Sequence, residues 1–376
     1  MAHYKMSDVA VEVNDRENNP ANSQYERFVG LEHYVSGEVI IRNYGSTQNL
    51  ESAMKIFQSG DVLVARRNVY LKRAATVDFD GLTSGDSIVL RAKNPVIGRI
   101  LPFVLNTDAF WDFADQYSDG TMSKRLSPKT LMTYEFDLPN EDDLESFADL
   151  LWAANDTRES YQELLRQTDE LVKSQFIELF GDVKTNDKSW KTKPLKELCN
   201  ITRGGSPRPI ANYLGGTIPW IKIGDATDGD DIYINSTKEY IIEEGMRKSR
   251  YVKAGSLIFA NCGVSLGFCR IINIDGCIHD GWLALQDIDK SLNKEFLLMT
   301  INQLTDYFRS IAPGATQPNL NTEIMGNYQQ ILPPLELQEK YIAFVKQTDK
   351  SKFEIKKAIE NTSALIKSLM QQDLST

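Results

Sequence analysis

Three histidines and four cysteines are all that 376 residues contain, and their scarcity closes off much chemistry. His3, His33 and His279 stand far apart, none in an HExxH spacing and none beside a cysteine placed as a nucleophile, so histidine-based catalysis is not expected. Cys199, Cys262, Cys269 and Cys277 all lie in the second half without a CxxC spacing. That pattern indicates neither a disulfide framework nor a zinc site and makes them reduced core residues. A GxxxxGK[ST] phosphate loop and a GxSxG elbow are both missing, and no group of Asp and Glu has a metal-ligand spacing. The chain is therefore expected not to be an enzyme and to carry no cofactor or metal of its own. No run of 18 apolar residues exists, and MAHYKMSDVAVEVNDRENNP lacks the apolar core of a secretory signal. A cytoplasmic protein without a membrane partner is the expectation.

An excess of basic charge is also lacking. The net charge is −10, from 42 basic and 52 acidic residues, which at first argues against a nucleic-acid partner. Its distribution changes that reading. Residues 140–182 hold 3 basic and 12 acidic residues, leaving 39 against 40 elsewhere. The acid is concentrated in one short segment.

What the chain does have is itself, twice. LVKSQF at 171–176 returns as LIKSLM at 365–370, and the same shift of about 194 positions places Leu138-Pro139 on Leu332-Pro333, Tyr134 on Tyr328, Leu126 on Leu320 and Gly120 on Gly314. A shift of 195 sets Gly60 on Gly255, Asp80-Gly81 on Asp275-Gly276 and Leu90 on Leu285, while FVGLE (28–32) stands where WIKIG (220–224) does. These stretches alternate or run apolar between Gly, Asn and Asp turns, the pattern of strands and hairpins.

Each copy ends in an amphipathic helix. Leu144, Phe147, Leu151, Ala154, Tyr161, Leu165, Val172 and Leu179 recur at steps of three, four and seven, with Asn140 at the start and Gly181 at the end. Leu337, Tyr341, Phe344, Ile355, Ala358, Leu365 and Leu369 repeat the stripe. Two helices of about 40 residues, each about 60 Å long, can bury these stripes against each other as an antiparallel coiled coil. The expected fold is α+β: strand-rich mixed domains at 1–139 and 183–331, each followed by a long helix at 140–182 and 332–376, as an internal pseudo-twofold repeat.

Several phrases, in this order, carry a family resemblance: ELVKSQFIELFGD (170–182), PLKELCNITRGGSPRP (194–209), IPWIKIGD (218–225) and GATQPNLNTEIMGNYQQILPPLELQEKYIAF (314–344). With the duplication, the whole chain resembles the DNA specificity subunits of type I restriction-modification systems. The resemblance implies two target recognition domains, each reading half of a split sequence in double-stranded DNA, and a helix pair that sets the unread spacer. It implies as partners two methyltransferase subunits, which hold S-adenosylmethionine and methylate adenine, and a translocating restriction subunit. The methylation motif of such partners, Asn or Asp before Pro-Pro-aromatic, is missing here, since Pro333-Pro334 lies between two leucines. The first domain departs from the pattern, with Pro-Asn for Pro-Pro and no Gly-Gly turn. A tandem protein- or glycan-binding module spaced by a coiled coil fits the same outline, and steep salt dependence would separate the two.

Reading DNA needs Arg, Lys, Asn or Gln at base edges and cations at phosphates. In the first domain ARRNVYLKR offers Arg66, Arg67, Asn68, Tyr70, Lys72 and Arg73 around a hairpin turn, and Lys124 and Arg125 stand where the second domain has Pro318 and Asn319. The second domain offers Asn261 at the equivalent turn, Arg203, Ser206 and Arg208 in TRGGSPRP, and Arg247, Lys248 and Arg250 before a strand.

Overall fold

VLVA at 62–65 and LIFA at 257–260 are unbroken apolar runs because each forms a strand packed on both faces. Val62 and Val64 face one core and Leu63 and Ala65 another, and Leu257 and Phe259 are divided from Ile258 and Ala260 in the same way. The computed structural model describes residues 2–120, 123–226, 232–313 and 318–371. The chain forms two compact units, one running up to Leu165 and resuming at Glu354, the other being Arg166–Phe353.

In the first unit the strands run in the order Ala10–Val13, Ser87–Ala92, Val62–Ala65, Ala74–Thr76, all antiparallel. The second unit orders Asn200–Arg203, Trp282–Gln286, Leu257–Ala260 and Cys269–Ile272 identically and adds Tyr233–Ile234 in parallel. A mixed sheet follows in each. Arg27–Val29 runs parallel to Gly81–Thr83 with Phe28 opposite Leu82, and Leu214–Ile221 runs parallel to Gly276–Ile278 with Trp220 opposite Cys277.

The duplication extends to single hydrogen bonds. Gly60 N–H donates to the Val77 carbonyl at 2.8 Å and Gly255 N–H to that of Ile272 at 2.6 Å, each glycine at φ near +87°. Asp80 Oδ1 accepts from Ser59 N–H at 2.8 Å, and Asp275 Oδ1 from Ala254 N–H at 2.7 Å. The Tyr134 and Tyr328 carbonyls accept from Met6 and Leu195 N–H. Gly314, aligned with Gly120 in sequence, lies outside the described residues.

The long helices are Leu144–Phe180 and Leu335–Gln371. Asn140 sets the first through its carbonyl, which accepts from Asp143 N–H in the turn Glu141–Asp143, and Gly181 closes it at φ +76°, donating to the Ile177 carbonyl at 2.8 Å. Within the first unit, Leu144, Ala148 and Leu151 share a core with Ile366, Leu369 and Met370. Within the second, Phe176 and Phe180 share one with Tyr341, Ile342 and Val345. The start of one helix thus meets the end of the other, as an antiparallel pair does.

The stripe differs from the sequence reading at both ends. Phe176 and Phe180 are the fully buried residues of the first helix's last turns, where Val172 and Leu179 are only partly buried, and Leu365 is 48% exposed while its neighbour Ile366 packs. A straight helix drifts from a seven-residue repeat, so a stripe read at fixed steps slips by one position over several turns.

Cys199, Cys269 and Cys277 are buried, Cys262 is half-buried, and all four are free thiols. Burial pushes the Cys199 thiol up to about 12. No helix among the described residues is long and apolar enough to cross a membrane.

Candidate nucleic-acid interface

Strand Val62–Ala65 leaves its sheet through Arg66–Arg73 and returns as Ala74–Thr76, the loop closed by Ala65 N–H donating to the Arg73 carbonyl at 2.9 Å. Asn68 (φ +55°) and Lys72 (φ +47°) take left-handed conformations on either side of a 3₁₀ turn, Val69–Leu71. The second unit builds the same loop. Ala260 N–H donates to the Phe268 carbonyl at 2.8 Å, and the two left-handed positions are Gly263 and Gly267. Asparagine tolerates this backbone region; lysine does so rarely.

Behind each loop one side chain does the same work. Arg66 Nε donates to the Leu126 carbonyl at 3.1 Å, and Asn261 Nδ2 donates to the Leu320 carbonyl at 3.1 Å. The main chains match as well, since Leu126 N–H donates to the Arg66 carbonyl and Leu320 N–H to that of Asn261, both at 2.8 Å. Asn261 is wholly buried and Arg66 partly so, burial lowering the guanidinium's proton affinity. Both residues hold a second loop to the first, and Asn261 has no exposed edge to offer a ligand. Arg73 is likewise turned inward, onto the carbonyls of Leu31 (2.9 Å) and Arg67 (3.3 Å).

The remaining residues of the first set face outward. Tyr70 is 66% exposed at the loop tip. Asn68 Oδ1 accepts from Ser123 Oγ at 3.0 Å, so the loop at 123–126 is fastened to it. Arg67 and Arg125, bridged through their main chains, converge on one carboxylate, Asp86, at 3.4 and 2.6 Å. Lys124 pairs with Asp115 at 2.6 Å and Lys72 with Asp108 at 3.1 Å. The alignment of Lys124 and Arg125 with Pro318 and Asn319 holds in space, because Asn68 and Gly263 donate to the Lys124 and Pro318 carbonyls.

In the second unit the Gly-Gly turn is a steric requirement. A Cβ on Gly204 would lie 2.1 Å from the His279 carbonyl oxygen, in contact with main chain that cannot yield. The turn brings TRGGSPRP against Asp280, which accepts from Ser206 Oγ at 2.8 Å and Arg208 Nη2 at 3.3 Å and lies 2.9 Å from His279 Nε2. Arg203 Nε donates to the Asp280 carbonyl at 3.2 Å, and Arg250 Nε to the Arg203 carbonyl at 3.4 Å. Lys248 rests over the Tyr213 ring at 4.8 Å. Arg208 is 81% exposed, and Arg247, Lys248 and Arg250 are exposed as well. A shallow pocket lies beside them, lined by Ser206, Arg208, Ile210, Trp220 and His279.

Burial pushes the Asp280 carboxyl up, but the Ser206 hydroxyl, His279 and Arg208 outweigh it and hold it below the ordinary carboxylate range. Burial lowers the His279 imidazole despite Asp280 beside it. The structure therefore joins Arg203, Ser206, Arg208, Lys248 and Arg250 in one patch and Arg67, Asn68, Tyr70, Lys124 and Arg125 in another, and withdraws Arg66, Arg73 and Asn261 behind them. Asp86, Asp280, His279 and Trp220 were not singled out from sequence. For Asp86, His279 and Asp280 the only signal was position, in the turn that precedes the matched strands Ser87–Ala92 and Trp282–Gln286, while Trp220 stands in strand Leu214–Ile221, within the phrase IPWIKIGD.

Residues 187–362 match the sequence model of the type I restriction modification DNA specificity domain. The specificity subunit of the type I restriction enzyme MjaIX from Methanocaldococcus jannaschii is 23% identical over 163 residues, which span 42% of this chain and 38% of that protein's length. A chain solved in a study of complex assembly and conformational transition of the type I R-M system superposes with a TM-score of 0.56 at 21% identity, covering 99% of this chain and 95% of the other. The type I restriction-modification S subunit from M. genitalium gives 0.57 at 14% identity, over 98% and 95%. These likenesses establish the fold, and residues 187–362, a little under half of the chain, are similar to the type I restriction modification DNA specificity domain.

Proposed function

We propose that this chain is the non-catalytic, DNA-reading subunit of a type I restriction-modification complex in the cytoplasm, with one recognition surface in each unit for one half of a split target. One observation carries this reading. Each unit repeats a pair of loops closed by the same hydrogen bonds about 195 residues apart, and each carries a cluster of exposed arginines, on those loops in the first unit and on TRGGSPRP and the strand Arg250–Val252 in the second. Arginine reads guanine edges in the major groove, whereas lysine mainly neutralises phosphate. Clusters built from different segments suit two different half-sites: Arg67, Tyr70 and Arg125 in one, Arg203, Arg208 and Arg250 in the other.

The long helices, each contributing one half to each unit, set the unread spacer and dock two modification subunits that hold S-adenosylmethionine; a restriction subunit completes the assembly. Selection of random-sequence duplexes by the full chain with its modification subunits is expected to enrich two short motifs separated by a fixed unread gap. Binding is expected to weaken steeply between 50 and 200 mM salt, as several phosphate contacts require. Failure to retain duplex even at low salt overturns the proposal.

A further inference from the structure

We infer that Asp86 and Asp280 are positioning residues of the two recognition surfaces, each fixing the basic side chains that determine one half-site. The inference rests on the DNA-reading function proposed above. The two carboxylates occupy the same turn of the repeat, between Gly81–Thr83 and Ser87–Ala92 in one unit and between Gly276–Ile278 and Trp282–Gln286 in the other. The turns are closed alike, Ser87 N–H donating to the Ser84 carbonyl and Trp282 N–H to that of His279. Yet the acids are not aligned residues. Asp86 aligns with Gly281, since Arg66 N–H donates to the Asp86 carbonyl and Asn261 N–H to that of Gly281.

Each unit thus supplies a carboxylate at its own position in this turn, and each carboxylate gathers side chains from loops remote in sequence. Asp86 takes Arg67 and Arg125, and Asp280 takes Ser206 and Arg208. Long guanidinium arms held on a turn lose their freedom at folding instead of at binding, which favours recognition. A fixed negative charge at the centre of the patch repels phosphate and leaves the paired arginines for base edges; a carboxylate can also accept from cytosine N4.

Duplex selection with the full chain bearing Asp86→Asn or Asp280→Asn, alongside the unchanged chain, tests this. The expected result is that Asp280→Asn relaxes preference at one or more positions of a single half-site by about tenfold and leaves the other half and the gap unchanged. Asp86→Asn is expected to relax the opposite half. Affinity for non-target duplex holds or rises in both, because a negative charge has gone, and Asp280→Glu retains more preference than Asp280→Asn. If both variants enrich the unaltered motif, the positioning role is wrong while DNA reading stands. If they weaken both halves together with a lowered melting temperature, the carboxylates are structural only and the inference falls. If the unchanged chain enriches nothing, DNA reading itself has failed.

Discussion

Asn261 has its whole side chain inside the protein and donates to the Leu320 carbonyl at 3.1 Å. Its truncation to alanine leaves that buried acceptor unsatisfied and is expected to cost about 1–3 kcal/mol, measured by denaturant unfolding, and to loosen the loop at 318–320. Arg208→Ala, by contrast, removes an exposed group whose ion pair contributes little to folding, so stability is expected to stay unchanged while duplex binding weakens. Asp280 gives a pH dependence. Its folded carboxyl titrates below the unfolded one, so it contributes stability above about pH 4 that is lost as pH falls through the lower folded value. A melting curve taken across that window is expected to flatten in Asp280→Asn. At this scale the sequence showed which residue types stand in which turn. It could not show that Arg66, Arg73 and Asn261 point inward, because that depends on carbonyls of Leu126, Leu31 and Leu320 remote along the chain.

The matched strands and helices were legible because their signals are local. Apolar runs between glycine turns gave the strands, and Gly60 and Gly255 stand at φ near +87° where the two copies turn alike. The helix ends were less legible. Phe176 and Phe180 lie off the stripe traced at fixed steps, yet with Phe296 and Tyr341 they form the aromatic centre where the two long helices meet in the second unit, ring centroids 4.7 to 6.1 Å apart. Phe180→Ala is expected to destabilise this unit by about 3–5 kcal/mol, seen as an earlier unfolding transition. The acidic face of the first helix is also less bare than its composition suggests. Glu159 pairs with Arg42 at 3.0 Å, Glu170 with Arg166 at 2.5 Å, and Asp169 with Lys352 at 2.6 Å.

For the molecule as a whole, the point at which to lengthen the helices follows from what holds them. Inserting a turn after Thr157 disturbs a clamp, because Arg158 donates to the Gly37 carbonyl and pairs with Glu38 at 2.8 Å, and Gln162 reaches the same carboxylate at 3.0 Å. The chain passes between units at Leu165/Arg166 and Phe353/Glu354. Four residues added at both crossings lengthen the pair by about 6 Å, up to about two base pairs at 3.4 Å each. Mapping of methylated sites in cells carrying this variant is expected to show an altered gap between unchanged half-sites. An altered half-site, or an unaltered gap in an active complex, rules out the helices as the ruler. The duplication was readable at this scale, but the division of each helix between two units was not, since nothing in a continuous helical pattern marks where its partner changes.

That division has a consequence for how the protein is made. The unit Arg166–Phe353 is one unbroken stretch set into the chain of the other, whose core is completed by Ile366, Leu369 and Met370. On the ribosome the first globule to begin is therefore the last to finish. While nearly two hundred residues of its neighbour are translated, its nascent core lacks those three side chains and exposes apolar surface to chaperones and proteases. A message truncated just past Phe353 leaves it in that state permanently, and the exposed core gives cellular quality control a direct means of discarding shortened products.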